Sequence, residues 1–398
     1  MRHAIGFLFS AVIFTTQSGH AAEPKFERQV IDPAIAIGYG LAIGDVDGDK
    51  KSDILLADKS QIAWYRNGDW KRFVMAENLN PRVGTRFLDN VCIAARDIDG
   101  DGKVEVAVGG NWNPGETKDA AKSGSVHYLT RPDDPTARWK PVKLEHSPTI
   151  HRMHWVNTGA KQFSLTVLPL HGVGNKGGKG DPVQLLSFSV PADPAAGKWP
   201  LQRIDTGLHA THNFDWMSVE GGIDAIMIGG AEGVLSGRIK DGKWAGSMTV
   251  EAPLSRGVGE VRGVEIGDKG GIVVIEPMHG NEVVMYRPSE KAGAALERVV
   301  LDASLSQGHA IAVADLLGSG SAQVIAGWRR PDANKKVGIK LYARDGDAWK
   351  THLIDDNGMA CEDLKVTDLD GDGKLDIIAA GRATKNVVVY WNRTGSKP

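Results

Sequence analysis

Short apolar runs recur along the chain, each rich in branched side chains and closed by glycine or a polar residue. Runs of this length and composition are typical of buried β-strands. The clearest example, residues 375–380 (LDIIAA), follows a stretch in which aspartate occupies alternate positions. No segment shows the roughly 3.6-residue apolar spacing of an amphipathic helix. The pattern therefore predicts an all-β protein built from short strands.

An acidic loop precedes several of these runs. In the clearest copy, carboxylates stand at loop positions 1, 3, 5 and 9 around Gly371, which permits a sharp turn. Oxygen ligands at alternate loop positions point inward and bind Ca²⁺. A fourth copy, which begins at Asp315, has lost its other acidic side chains and is expected to be metal-free. The sets predicted to hold structural Ca²⁺ are Asp45, Asp47, Asp49 and Asp53; Asp97, Asp99, Asp101 and Glu105; and Asp368, Asp370, Asp372 and Asp376.

The copies of this loop are regularly spaced. They begin at residues 45, 97, 315 and 368, so that neighbouring copies lie 52 or 53 residues apart. The middle interval of 218 residues holds four such steps, which indicates three hidden repeats, near residues 150–205, 208–252 and 258–302, and seven repeats in all. A period near fifty with four short strands per repeat predicts a seven-bladed β-propeller.

The segment Phe26–Asp32 precedes the first acidic loop but is similar to segments that end other repeats. We therefore expect this N-terminal strand to join the last blade beside Val387–Asn392 and so to close the ring, which leaves no exposed seam.

The first 22 residues differ from the rest of the chain. They combine a basic start, an apolar stretch and then small residues, which is the pattern of a secretory signal peptide. We expect cleavage near Ala21 or Ala22, a secreted or periplasmic location, and a single propeller domain over residues 23–398. No other stretch is long and apolar enough to span a membrane.

Charge and cysteine content narrow the range of partners. A formal net charge of −2 argues against a nucleic-acid partner, and a monomer is expected. Cys92 and Cys361 fall in repeats that are not neighbours. The sequence therefore predicts buried free thiols rather than a disulfide.

The repeat register also brings polar residues to the face opposite the acidic loops, where each inner strand starts at the central channel. Counting six residues back from loop position 1 gives Tyr39, His151, His309 and Glu362, with Glu260 beside the fifth-repeat position. The fourth loop is shorter, and aligning Asp224 with Asp376 gives His212 as the equivalent. We call Tyr39, His151, His212, His309 and Glu362, with Glu260, the axial residues. The inner strands add His154 and Arg262. The loops after the second strands add Asn111, Trp112, His171, Glu232, His279, Arg329 and Arg382. Histidine is concentrated in these motifs, which predicts a functional face.

Three resemblances fit these motifs. Repeats of the form D-x-D-G-D-G-x-x-D before an apolar strand resemble FG-GAP (VCBS-type) propeller repeats. The segments IHRMHWVN, LPLHG, HATHNF, GEVRGVE, QGHAIAVADL and GMACEDLKVTDLDGDG are similar to the propeller of aldos-2-ulose dehydratase. More loosely, a histidine on one strand and a second about twenty residues later resemble the seven-bladed ulvan lyases. The resemblance implies a secreted carbon–oxygen lyase or dehydratase that acts on a carbohydrate.

The residue types agree with that reaction class. A neutral histidine can remove a proton next to a carbonyl or carboxylate, after which a β-substituent leaves. The enolate needs a cation, which Arg329 and Arg382 or a bound metal could supply. The expected catalytic residues are His151, His154, His171, His212 and His309. Zn²⁺ or another divalent ion is a further expectation, held by His151, His212, His309 and Glu362. The expected substrate contacts are Tyr39, Asn111, Trp112, Glu232, Glu260, Arg262, His279, Arg329 and Arg382.

Two alternatives remain open at this stage. One is a non-catalytic, calcium-stabilised propeller that binds a glycan or a protein partner. The other is a glycoside hydrolase that uses the carboxylates of Glu260 and Glu362. A binding surface for glycans would show aromatic platforms, and only Trp112 and Trp328 are evident among many histidines. The sequence therefore favours an enzyme.

Overall fold

The computed structural model describes residues 23–395 except 81, 84–85, 161, 176, 219–221, 241–242, 246–255, 267–268, 290–295 and 347. The predicted signal peptide, residues 1–22, lies outside the described residues. The chain forms seven four-stranded antiparallel sheets and one small hairpin. The first strand of each sheet contacts the first strands of both neighbouring sheets, so the sheets form a ring. The predicted all-β, seven-bladed propeller is confirmed.

The strands of each sheet follow one another outward from the central channel, except that β1 (Phe26–Asp32) belongs to the seventh sheet. The first sheet contains β2 (Gly40–Gly44), β3 (Asp53–Ala57), β4 (Gln61–Tyr65) and β5 (Arg72–Glu77). The small hairpin contains β6 (Arg82–Val83) and β7 (Arg86–Phe87). The second sheet contains β8 (Cys92–Arg96), β9 (Glu105–Gly110), β10 (Ser125–Thr130) and β11 (Lys140–Leu144). The third contains β12 (Ile150–Gly159), β13 (Gln162–Pro169), β14 (Gln184–Ser189) and β15 (Leu201–Asp205).

The remaining sheets have the same order of strands. The fourth contains β16 (Thr211–Ser218), β17 (Asp224–Gly230), β18 (Gly233–Lys240) and β19 (Lys243–Ala245). The fifth contains β20 (Glu260–Ile266), β21 (Lys269–Glu276), β22 (Glu282–Arg287) and β23 (Glu297–Asp302). The sixth contains β24 (Gly308–Ala314), β25 (Gln323–Trp328), β26 (Gly338–Asp345) and β27 (Ala348–Asp356). The seventh contains β28 (Cys361–Thr367), β29 (Asp376–Gly381), β30 (Val387–Asn392) and β1.

Helical structure in the described residues is limited to one 3₁₀ turn, Pro194–Ala196. Among those residues, the chain has no helix with the length and apolar character that crossing a membrane requires.

Apolar side chains fill the space between neighbouring sheets. One cluster joins Trp155 and Phe188 of the third sheet to Val126 of the second. Full burial of one such large side chain stabilises the folded state by about 2–3 kcal/mol. Cys92 and Cys361 are buried free thiols, as predicted.

The acidic loops lie in hairpins between first and second strands, all on one face of the ring, which we call the acidic face. In the first sheet, Asp45 accepts a hydrogen bond from Gly48 N–H (2.6 Å) and Asp53 accepts one from Val46 N–H (2.8 Å). In each acidic hairpin three carboxylates bring an oxygen within 4.8 Å of one another. These groups are Asp45, Asp47 and Asp53; Asp97, Asp99 and Asp101; and Asp368, Asp370 and Asp376.

Three carboxylates of the predicted calcium sets stand outside these groups, and each has a basic neighbour. Asp49 lies 3.9 Å from Lys51 Nζ, Glu105 lies 3.4 Å from Arg131 Nη2, and Asp372 lies 3.4 Å from Arg393 Nη1. Burial, as the largest effect, raises the pKa of Glu105 to about 7.

The fourth copy of the loop, in the sixth sheet, is held together by a side-chain amide. The Nε2 group of Gln323 donates to Ser319 Oγ (3.2 Å) and to the Ser321 carbonyl. These acceptors stand at loop positions 5 and 7, which are ligand positions in a calcium loop. Asp315 still accepts hydrogen bonds from Ser319 N–H (2.9 Å) and Gly320 N–H (2.7 Å). The amide thus makes contacts that a cation makes in a complete loop.

An arginine links the third and fourth sheets, which have no acidic loop. Arg96 Nη1 donates to Asp224 Oδ2 (2.7 Å) and to the Trp155 carbonyl (3.0 Å). Its guanidinium lies 4.0 Å from the centre of the Trp216 ring, a cation–π arrangement. The same carboxylate oxygen accepts Asn157 N–H (2.8 Å). One partly buried ion pair therefore joins three neighbouring sheets on the acidic face.

The strand β1 closes the ring. It pairs antiparallel with β30, from Phe26 opposite Asn392 to Asp32 opposite Val387. This is the closure that the sequence predicts. The edge of β30 is therefore covered, and the last sheet is built from both ends of the chain.

A chain that starts at Ala34, and so lacks β1, should aggregate or be cut by proteases, because the edge of β30 would be unpaired. Limited proteolysis and size-exclusion chromatography would compare it with a chain that starts at Glu23. Equal protease resistance of the two proteins would contradict the closing role of β1.

Candidate active site

Four inner strands contain a β-bulge close to their first residue. The pairing register shifts across His151 in β12, His212 in β16, His309 in β24 and Glu362 in β28. A bulged residue leaves the regular alternation of the strand, so its side chain can take a new direction. In all four strands the bulged residue is the predicted axial residue. The four residues are also buried.

Each axial imidazole donates to the backbone of the next sheet. His151 Nδ1 lies 2.6 Å from the His212 carbonyl, and His309 Nδ1 lies 2.7 Å from the Glu362 carbonyl. His212 Nδ1 lies 3.3 Å from the Gly259 carbonyl. A carbonyl only accepts, so Nδ1 carries the hydrogen in each ring. In a neutral imidazole Nε2 is then the unprotonated nitrogen, which can accept a hydrogen bond or bind a metal ion.

His279 joins two of these histidines from the loop after β21, where its backbone has a φ of +54°. Its Nε2 lies 2.7 Å from His212 Nε2. Its ring is stacked on that of His309, with centroids 5.2 Å apart. One ring nitrogen from each of the three histidines lies within 4.8 Å of the others. We call His212, His279 and His309 the histidine centre.

The donor set of the histidine centre fits a divalent ion. Three imidazoles with an open fourth position are typical of catalytic zinc sites. The two Nε2 atoms of His212 and His279 face each other directly, so one must carry a hydrogen unless both bind the same cation. The sequence placed His279 among the substrate contacts and did not predict it as a third nitrogen donor.

Glu260 lies behind His212 and is almost fully buried. Its Oε1 is 3.0 Å from His212 Nδ1, and its other oxygen accepts a hydrogen bond from the Asn213 amide. Burial alone would raise the pKa of Glu260, but the hydrogen bond to His212 and the charges of Arg262 and Arg152 lower it to about 2. The carboxylate therefore positions His212. It is not the predicted substrate contact, because protein covers it.

Glu362 does not join the histidines, which corrects the predicted ligand set. Arg329 Nη1 lies 3.0 Å from both of its carboxylate oxygens, and Arg382 Nη1 lies 2.8 Å from one of them. The guanidinium of Arg382 also lies 5.3 Å from the centre of the Tyr39 ring, and the Tyr39 hydroxyl donates to Asp89 (2.8 Å). Two cations therefore share the one buried carboxylate of Glu362.

His151 also stands outside the histidine centre. Its ring lies 4.7 Å from that of His212 and 5.0 Å from that of Trp112. Its Nε2 lies 3.3 Å from Arg152 Nη1, which donates to it. Burial, and then the charge of Arg152, hold the pKa of His151 well below its usual value. Arg152 was not predicted from the sequence, since an arginine on an inner strand has no distinctive spacing.

Burial also lowers the pKa of the histidine centre, so its imidazoles are neutral at neutral pH. The pKa of His309 is held well below its usual value by burial and by Arg329. That of His279 is lowered to about 2, first by burial and then by nearby positive charge. Neutral imidazoles are the forms that bind metal ions and accept protons.

Two predicted site residues lie deeper, in the channel. His154 Nε2 lies 3.1 Å from the Phe214 carbonyl, and Arg262 Nη1 donates to the Val261 carbonyl (2.6 Å). They line a cavity of about 20 Å³, which is large enough for about one water molecule. Both side chains are anchored to backbone carbonyls, and the catalytic role of His154 and the substrate contact of Arg262 stay predictions.

Three predicted residues lie on loops beside the site. Asn111 is buried and its amide donates to the Gly124 carbonyl (3.1 Å), so it shapes its own turn rather than contacting a substrate. Glu232 pairs with His209, Nδ1 to Oε1 at 2.8 Å. His171 forms a backbone bridge to Ala210. Among the described residues, its ring makes no recorded contact with the histidine centre.

The comparisons with known proteins agree with this architecture. Residues 45–108 match the model of an FG-GAP-like repeat, and residues 123–289 match that of the β-propeller domain of aldos-2-ulose dehydratase. No curated protein matches the sequence.

Similar solved structures cover nearly the whole chain at low sequence identity. A crystal structure of BBS1N in complex with ARL6DN, soaked with lead, has a TM-score of 0.57 and 11% identity over 92% of this chain and 95% of that chain. The same complex soaked with mercury has a TM-score of 0.55 and 13% identity over 94% and 97%. A chain of the Mitotic Checkpoint Complex has a TM-score of 0.55 and 11% identity over 98% of each chain. At these identities the likeness shows the fold alone. The chain is thus a seven-bladed β-propeller with an FG-GAP-like repeat and a central segment similar to the propeller of aldos-2-ulose dehydratase.

Proposed function

We propose that the chain is a secreted carbohydrate-active lyase or dehydratase. It would remove a proton next to a carbonyl or carboxylate and eliminate an oxygen substituent from the β-carbon. The observation that carries the proposal is the histidine centre, where buried neutral imidazoles meet at the mouth of the channel. The match of residues 123–289 to a sugar dehydratase propeller supports the same reaction class. The secreted location rests on the sequence pattern of residues 1–22.

Zn²⁺ or a similar divalent ion is part of the proposal. His212, His279 and His309 would hold it, and the carboxylate behind His212 is the support that metal-bound histidines usually have. Such an ion would polarise the carbonyl of the sugar and stabilise the enolate.

His151 is the proposed base. Its Nδ1 is held by the His212 carbonyl, so Nε2 is the nitrogen that takes the proton. Arg152 Nη1 donates to this nitrogen and keeps it deprotonated before the sugar arrives. Arg152 would turn away from Nε2 as the sugar binds, which frees the lone pair for the proton. The electron pair of the broken C–H bond forms a carbon–carbon double bond as the β-carbon–oxygen bond breaks. The same imidazolium then protonates the leaving oxygen. Overall, the sugar loses water or an alcohol.

The arginine pair on Glu362 is the proposed holder of an anionic group. Glu362 occupies one nitrogen of Arg382, while the Arg382 side chain remains 39% exposed. Guanidinium groups recognise carboxylates through paired N–H donors. A uronate or another acidic sugar therefore suits this face.

The hydrolase alternative loses support from the same geometry. It needs two carboxyl groups at the reacting sugar, whereas Glu260 supports His212 and Glu362 is shared by two arginines. The non-catalytic binder remains the other outcome of the tests below.

Replacing His309 with alanine should abolish both ion binding at the histidine centre and turnover, whereas His151→Ala should keep the ion and lower turnover by at least about 100-fold. Turnover is measured as absorbance from a new conjugated double bond with 3-keto sugars, 2-keto sugars and uronate glycans. Bound zinc is measured by elemental analysis. His352→Ala, on an outer strand, is the control. Glycan binding without elimination of any substrate would identify a non-catalytic binder and refute the lyase.

Replacing Arg382 with alanine should raise KM for carboxylated substrates by about tenfold, with a smaller change for neutral keto sugars, because one anion contact is lost. The matched control is Arg138→Ala, a half-exposed arginine paired with Glu77. An equal change in KM for both substrate classes would exclude Arg382 as a carboxylate contact.

We also propose that the acidic hairpins bind structural Ca²⁺. Chelation should lower the melting temperature and added Ca²⁺ should restore it, because ion binding to the folded state adds stability by mass action. Asp368→Asn should weaken this response, whereas Asp315→Asn should leave it intact, since Gln323 already bridges that loop. A melting temperature that does not change in excess chelator, with no metal retained, would show that the calcium proposal is wrong.

A further inference from the structure

A second recess lies beside the histidine centre, between loops of the fifth and sixth sheets. Its volume is about 550 Å³, within the range of about 300–1,000 Å³ that is typical of small-molecule sites. Its walls include Asn281 from the loop after β21, Ala303 and Ser306 from the connection between the sheets, and Pro331 and Ala333 from the loop after β25. We call this recess the side groove.

Three chain segments run from the catalytic face into the side groove. His279 is followed two residues later by Asn281, and Arg329 is followed two residues later by Pro331. Ser306 stands three residues before His309. The side groove therefore borders the histidine centre and the arginine pair.

Backbone hydrogen bonds fix the floor of the side groove. Leu305 N–H donates to the Asn281 carbonyl (3.2 Å), and Arg330 N–H donates to the Ser306 carbonyl (3.2 Å). The Asn281 amide also donates to the Ala303 carbonyl (3.0 Å). These bonds join the two loops to the connection between them. The side groove is thus formed before a ligand arrives, which lowers the entropy cost of binding.

The lining has the chemical character that a sugar unit requires. Ala303, Pro331 and Ala333 offer small apolar surfaces for the C–H face of a sugar, while Ser306 and the Asn281 carboxamide oxygen offer neutral hydrogen-bonding groups. The one acidic side chain, Asp332, accepts N–H groups of its own turn, Asn334 at 2.8 Å and Lys336 at 3.0 Å. The lining therefore favours a neutral, hydroxyl-rich unit over a charged or purely apolar one.

We infer that the side groove binds the sugar units next to the reacting unit, so that the ligand is an oligosaccharide or polysaccharide rather than a monosaccharide. The inference rests on the proposed function only for the identity of the reacting unit. Affinity should therefore rise with chain length from one sugar to two or three.

The test measures binding separately from turnover. Calorimetric titration of the chain that starts at Glu23 uses mono-, di-, tri- and tetrasaccharides of neutral, N-acetylated and uronate type. For the sugar type that binds, we expect affinity to rise about tenfold from one unit to two or three. Ala303→Trp and Ala333→Trp fill the side groove from opposite walls, and each should abolish the rise. Ala348→Trp, at an exposed position on the acidic face, should preserve it.

The outcomes distinguish this inference from the proposed reaction. Binding that depends on length and is lost in both groove variants, without double-bond formation, would support the side groove and refute the lyase. Turnover or binding that is the same for one sugar and for several would overturn the side groove and leave the lyase in place. A length dependence that persists in both variants would place the additional sugars elsewhere, and failure of every saccharide to bind would overturn the inference.

Discussion

A neutral imidazole carries one N–H hydrogen, on one of its two ring nitrogens. The group that accepts this hydrogen therefore decides which nitrogen stays unprotonated and can bind a metal ion or a proton. In this propeller the backbone carbonyl of the next sheet holds Nδ1 of His151, His212 and His309. These hydrogen bonds join neighbouring sheets at the channel and at the same time leave Nε2 without a hydrogen. The chemistry of the site therefore depends on the packing of one sheet against the next. A shift between two sheets would change the tautomer as well as the distance.

The carboxylates beside the histidine centre are covered by groups whose nitrogens donate hydrogen bonds to them. Glu260 supports His212 from behind, and Glu362 lies between Arg329 and Arg382. A buried charge is tolerated when it is paired and hydrogen-bonded. Because both anions are used in this way, the surface that a ligand meets consists of imidazoles and guanidinium groups. This arrangement explains why an anionic or oxygen-rich ligand is a better candidate than a cation.

The sequence predicted the fold and the positions of the axial residues, because both follow from a repeat of about fifty residues and from strand alternation. It predicted the partners of those residues less well. Glu362 stands at the register position of a metal ligand, but its carboxylate is paired with two loop arginines. His279 enters the histidine centre through a loop with a positive φ, and a repeat period does not encode loop conformation. His154 lies on the same strand as His151 but three residues further along, so its side chain lies at a different depth of the channel.

The cross-links on the acidic face are distributed unevenly around the ring. The carboxylate hairpins belong to the seventh, first and second sheets, which are neighbours and include the pair β1 and β30 where the chain begins and ends. In the rest of the ring, the Arg96 guanidinium and the Gln323 amide donate hydrogen bonds that hold this face together in place of an ion. The histidine centre is built from the fourth, fifth and sixth sheets, within this second arc. If the hairpins bind Ca²⁺ as proposed, the ring would loosen first at its seam in water poor in calcium, while the arc that carries the histidines would keep its shape.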